Sequence, residues 1–119
     1  MTDTGRIRME NYKNVLYCEA YMNDEFSLAD LASMRAEIHR NFSSHSDVIL
    51  KKAGSYSVSV NAQTTLWKGI PEFRNFVYVT DDGWKKESAE YAANTYMRPY
   101  NTRVASSKEE AYEMLQELA

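Results

Sequence analysis

The sequence is poor in the residues that give small proteins special chemistry. A single cysteine among 119 residues excludes an intramolecular disulfide and a cysteine-rich zinc site. The only histidines, His39 and His45, stand in no HxH or HExxH spacing, so no metal site or other cofactor is expected. Four glycines and two prolines are too few for a flexible linker or a collagen-like repeat. Basic residues do not outnumber acidic ones: 14 Lys and Arg face 17 Asp and Glu, for a net charge of -3. A nucleic-acid partner is therefore not expected. Apolar runs are only a few residues long, far short of a membrane span. The amino-terminal stretch has no apolar segment of the secretory type, so the expected location is the cytoplasm.

What is present is an ordinary globular composition, 44% hydrophobic and 26% charged. Residues 1–12 are polar without periodicity and read as a flexible arm. Residues 13–119 read as a single domain. Val15-Leu-Tyr-Cys-Glu19 is the first strand. Ser27-Leu-Ala-Asp30 has the form of a capping box, and Leu28, Leu31, Met34, Ile38 and Phe42 follow at helical spacing. Asp47-Val-Ile-Leu50 and Asn75-Phe-Val-Tyr-Val-Thr80 read as buried strands. A helix is expected over residues 84–96, stopped by Pro99. Thr102-Arg-Val-Ala105 is a short strand, and Ser107 caps a last helix whose apolar face is Ala111, Met114, Leu115 and Leu118.

Residues 55–60 admit two readings. Tyr56, Val58 and Val60 alternate with serines, as in a hairpin with the preceding strand. Val58, Ala62, Leu66 and Ile70 instead follow a helical spacing, with Ser55 or Ser57 as cap. The helix makes the whole chain alternate strand and helix, and it is the reading adopted. The expected fold is α/β, a mostly parallel four-stranded sheet with about four helices.

These stretches resemble the small bacterial proteins similar to the stage II sporulation anti-sigma-factor antagonist, the SpoIIAA-like branch of the STAS class. The resemblance spans about residues 13–118. It rests on Val15-Leu-Tyr-Cys-Glu19 with Phe26-Ser-Leu-Ala-Asp-Leu31, on Asp47-Val-Ile-Leu50, on Phe76-Val-Tyr-Val-Thr-Asp81, and on the final strand and helix from Thr102 to Leu115. It implies a STAS/SpoIIAA-like fold and a regulatory role through protein contacts. Where phosphorylated members carry an Asp-Ser-Ser/Thr-Gly-like motif, this chain reads Gly54-Ser-Tyr-Ser-Val-Ser59, which puts the phosphoswitch in doubt.

The binding or phosphorylation candidates are Ser55, Ser57 and Ser59, placed at a helix start where anions are stabilised; their ordinary alternative is capping. Asp81 and Asp82 follow the strongest strand, where open α/β sheets hold ligands, or simply make its turn. Cys18 lies in a strand without a nearby cation and reads as structural. No nucleophile-elbow sequence such as GxSxG occurs, so no catalytic residue is nominated and an enzyme is not expected. Nine tyrosines and two tryptophans lean toward binding. The expected function is a non-enzymatic regulatory or protein-interaction domain, with a protein partner or self-association. The alternative is a module for a small apolar ligand or lipid, since this subgroup looks similar in topology to the CRAL-TRIO fold.

Overall fold

The apolar strands read from the sequence lie side by side at the centre of the sheet, because each must bury both faces. The structure is a computed structural model and describes residues 1–68, 74–80 and 83–118. Its elements are β1 (Thr2–Asp3), β2 (Ile7–Tyr12), β3 (Val15–Ala20), β4 (Glu25–Phe26), α1 (Leu28–Asn41), β5 (Asp47–Lys52), β6 (Ser57–Val58), α2 (Val60–Trp67), β7 (Asn75–Val79), α3 (Gly83–Asn94), β8 (Thr102–Ala105) and α4 (Lys108–Leu118). A 3₁₀ turn at Arg98–Tyr100 contains Pro99.

The sheet has six strands in the order β1-β2-β3-β5-β7-β8, and it is mixed. The strands β3, β5, β7 and β8 are parallel neighbours, as expected. The expectation of four mostly parallel strands is corrected by β1 and β2, which join antiparallel on the β3 side. The expected flexible arm over residues 1–12 is corrected with it. Ile7 and Met9 are buried on alternate positions of β2, and that burial holds the segment down. Lys13 and Asn14 both have positive φ, 50° and 69°, the geometry of a two-residue hairpin turn between Tyr12 and Val15.

Helices α1, α2 and α3 cover one face. Leu31, Met34 and Ile38 of α1, Ala62 and Leu66 of α2, and Ala89 and Ala92 of α3 pack on Leu16, Cys18, Val48, Leu50, Phe76 and Tyr78. Burying each of the larger aliphatic side chains contributes roughly 1.5–3 kcal/mol before entropy. Leu28, expected on the α1 stripe, is instead exposed. Helix α4 covers the other face, where Ala111 and Leu115 meet Ile49, Val77, Val79 and Ala105.

The loops after β3 and β5 are zipped together. The Ala53 and Gly54 amides donate to Ala20 O at 3.0 Å, Ser57 N–H to Asp24 O at 3.3 Å and Ser59 N–H to Phe26 O at 3.0 Å. Ser55 N–H donates to Asn23 Oδ1 at 2.9 Å, and β4 pairs parallel with β6. The hairpin with β5 is therefore absent, and the helix reading holds with a shifted start. Ser59, rather than Ser55 or Ser57, caps α2 by accepting from Ala62 N–H at 3.2 Å.

Arg6 closes this end of the molecule from the amino-terminal side. Its Nε donates to Asp30 Oδ1 at 2.6 Å, its Nη2 to Asp24 Oδ1 at 2.6 Å, and Nη2 also to Glu25 O at 2.7 Å. Asp30 is the capping-box acid of α1, accepting from Ser27 N–H at 2.9 Å. Burial raises its carboxyl pKa, but hydrogen bonds from Arg6 and Ser27 more than offset this and hold it below the usual range. The hydrogen bond from Arg6 lowers Asp24 as well.

A Cβ on Gly54 would stand 1.9 Å from Met22 O and 2.7 Å from Tyr21 C, backbone atoms that cannot step aside. Gly54→Ala is expected to cost about 3 kcal/mol or more in urea unfolding. Gly5→Ala has open space around its Cβ but a φ of +90°, and should cost only about 1 kcal/mol. Depressed carboxylates stabilise the fold above their unfolded pKa, and that contribution is lost as pH falls through the folded value. The wild type should therefore lose melting temperature below about pH 4 more steeply than Arg6→Gln, as followed by circular dichroism.

Candidate functional site

Open α/β sheets bind ligands beyond the carboxyl ends of their parallel strands. Three of the candidate residues lie on the zipped loops at that end. Ser55 and Ser57 are exposed, and their backbone amides are engaged by the β3–α1 loop. Ser59 is half-buried and occupied as the α2 cap. The other two candidates, Asp81 and Asp82, lie outside the described residues. The structure thus strings the serines along one edge rather than gathering them into a pocket.

The unforeseen group at this end is Lys52, the last residue of β5, which is only 4% exposed. Its ammonium lies 4.3 Å from the Tyr56 ring centroid and 5.7 Å from that of Tyr78. Its one hydrogen bond among the described residues is to Ser88 Oγ at 3.4 Å, and no carboxylate among them pairs with it. Burial, and secondarily the Lys85 charge, pulls its pKa down to about 8. The tyrosine faces partly replace the lost hydration through cation–π attraction. Burial in turn pushes the Tyr56 and Tyr78 hydroxyls well up, so both rings stay neutral. A lysine–aromatic spacing such as Lys52 to Tyr56 is visible in the sequence. Tyr78 and Ser88 arrive from distant segments, and nothing local announces them.

Cys18 is fully buried, and burial raises its pKa, which leaves an inert thiol. Between α1, α2 and the sheet lies an apolar space of about 20 Å³, bounded by Phe26, Leu31, Met34, Tyr56 and Leu66. That is room for about one water molecule.

The outer surface of the helical layer is more open. A groove of about 400 Å³ runs between α2 and α3, lined by Gln63, Thr64, Trp67, Asn94, Thr95 and Tyr96. Helix α2, Val-Asn-Ala-Gln-Thr-Thr-Leu-Trp, contains no charged residue. It shows Val60 at 76% and Trp67 at 55% exposure, and α3 shows Tyr91 at 63%. The Thr64 and Thr95 hydroxyls donate to their own helices, at Val60 O and Tyr91 O, which leaves their oxygens as acceptors.

No protein-family model matches the chain, and no curated protein matches it in sequence. Among solved structures, a DUF3478-family protein from Shewanella loihica PV-4, described as uncharacterized and with a SpoIIAA-like fold, superimposes with a TM-score of 0.62. The two are 15% identical, and the match covers 92% of this chain and 91% of the other. The chain therefore has the STAS/SpoIIAA-like fold that its sequence resembles. At that identity the likeness concerns the fold alone.

A lysine whose folded pKa lies below its unfolded value destabilises the fold where both states are protonated, and the penalty fades as pH rises from about 8 toward 10.5. Lys52→Met is expected to melt higher than the wild type at pH 7. The gap should narrow steadily between pH 8 and 10 in paired thermal scans.

Proposed function

We propose that this chain is a non-enzymatic STAS-like interaction domain that docks a partner protein on α2 and the α2–α3 groove. The observation that carries this reading is the absence of charge on α2, where Val60 and Trp67 stand open to solvent. A solvated helix normally carries charged residues on its outer face. The centres of protein interfaces are instead depleted in charge and enriched in aromatic residues. The groove adds amides and hydroxyls from Gln63, Thr64, Asn94 and Thr95, which suit hydrogen bonding to a polypeptide. The occupant that fits is an uncharged, partly apolar protein surface. Ser55 and Ser57 stand on the loop entering α2, so a phosphate on either would add about -1.5 to -2 charge beside this neutral surface and oppose docking. The alternative role, a carrier of a lipid or small apolar ligand, has no comparable support, because α1 and α2 would have to part to admit one.

Photocrosslinking tests the reading. A benzophenone side chain at position 63, in a lysate of the source cells, should give one discrete protein adduct. The same group at position 113, exposed on α4, should give none. Trp67→Ala should keep the fold and weaken capture about tenfold or more, as for an aromatic anchor. Equal labelling from both positions, or capture indifferent to Trp67, would exclude docking at this groove.

A further inference from the structure

Among the described residues the buried charged side chains are Asp30 and Lys52, and the fold treats them differently. The Asp30 carboxylate accepts from Arg6 Nε at 2.6 Å and from Ser27 N–H at 2.9 Å, so a cation and an amide answer its charge. The Lys52 ammonium meets no carboxylate among the described residues. The charge that acts on it is a second cation, Lys85. Buried charges are ordinarily paired, because the lost hydration is otherwise uncompensated. A departure from that rule, at the end of a parallel strand, marks a place that something else completes.

The neighbours of Lys52 are arranged for an anion. The rings of Tyr56 and Tyr78 lie against the ammonium, and both stay neutral because burial pushes their hydroxyls up. On the α3 side, Ser88 Oγ accepts from Lys52 Nζ at 3.4 Å. A serine that accepts in this way still has its own proton to donate. Lys85, nearly one turn earlier on α3, donates to Ala53 O at 3.2 Å, the carbonyl that follows Lys52 in the chain. That bond brings the two ammonium groups to the same end of β5. Lys85 and Ser88 are only half-buried, so the cluster reaches solvent through them. We infer that Lys52, Lys85 and Ser88 form a binding site for a phosphate-type oxyanion. The anion accepts from both ammonium groups and from the Ser88 hydroxyl, and it supplies the charge that Lys52 lacks. Charge-assisted hydrogen bonds of this kind are short and strong. The position agrees with the end of the sheet where open α/β folds hold ligands. It is separate from the α2–α3 groove, whose Asn94 stands at the far end of α3 and Thr95 just beyond it.

Thermal melts of the full chain in inorganic phosphate, against sodium chloride at equal ionic strength, test the inference. Phosphate is excluded from protein surfaces and stabilises folded chains in general, so the readout is the difference between variants. The wild type should gain melting temperature saturably, and by more than Lys52→Met gains. Lys85→Gln should weaken the saturable part about tenfold, the loss expected for a charged hydrogen-bond partner. Ser88→Ala should weaken it less. Lys86→Gln, exposed at the next position of the same helix, should keep the whole response. In amide NMR spectra, phosphate should move the Ala53 and Ser88 signals of the wild type and leave them in place in Lys52→Met. A free phosphate ion and the phosphoryl group of a larger ligand share this chemistry. Tighter binding of glycerol phosphate would support the larger ligand, and tighter binding of inorganic phosphate the free ion. Equal phosphate gains in the wild type and Lys52→Met would overturn the inference. So would unmoved signals at Ala53 and Ser88, or a loss in Lys86→Gln as large as that in Lys85→Gln.

Discussion

The end of the sheet at which its parallel strands finish depends on the place where a side chain of Gly54 would be, which the backbone carbonyl of Met22 occupies instead. That approach lets the loops after β3 and β5 lie against each other and exchange hydrogen bonds from Ala53 to Ser59. Loops joining strand to helix usually run over the surface with their amides solvated. Here each loop satisfies the other, and the starts of α1 and α2 are fixed relative to one another. Arg6 adds a second tie from the opposite side, through Asp24, Glu25 O and Asp30. The capping acid of α1 therefore serves two ends, its own helix and the amino-terminal strand pair.

The same closure explains how a lysine comes to be buried. The tight turn at Gly54 carries Tyr56 back over the end of β5, where its ring lies on the Lys52 ammonium. Tyr78 from β7 supplies the second ring, and Ser88 from α3 a hydrogen bond. A buried cation with no carboxylate partner among the described residues weakens the fold, and aromatic faces repay only part of the lost hydration. Several of the nine tyrosines are thereby accounted for as structure. Among the described residues, the large aromatic side chains most exposed outside the core are Trp67 and Tyr91.

The parts of the fold legible in the sequence are those set by local chemistry or by burial on both faces. Ser27 and Asp30 announce the start of α1 because both ends of the capping box lie within one turn. Val48, Ile49 and Leu50 announce β5 because a central parallel strand has no polar side. The strand β2 escaped because only Ile7 and Met9 are fully buried, and their alternation with Arg8 and Glu10 looks like polarity without pattern. The turn at Lys13 and Asn14 lacks the glycine that would have marked it. Ser59 could not be told from Ser55 or Ser57 as the cap, since hydrogen bonds to Asp24 and Phe26 from another loop decide it. The serines were legible as a group, whereas Lys52 and the neutral groove are assembled from segments far apart in the chain.

The uneven covering of the sheet gives these features a common arrangement. Three helices cover one face and α4 covers part of the other, because α1, α2 and α3 follow strands that advance in one direction across the sheet. On that other face α4 reaches across to β2, where Tyr112 packs edge-on against Tyr12 and Lys108 lies 3.8 Å from Glu10 Oε1. The neutral groove between α2 and α3 lies on the side of the sheet opposite α4, so occupation of the groove leaves that packing undisturbed.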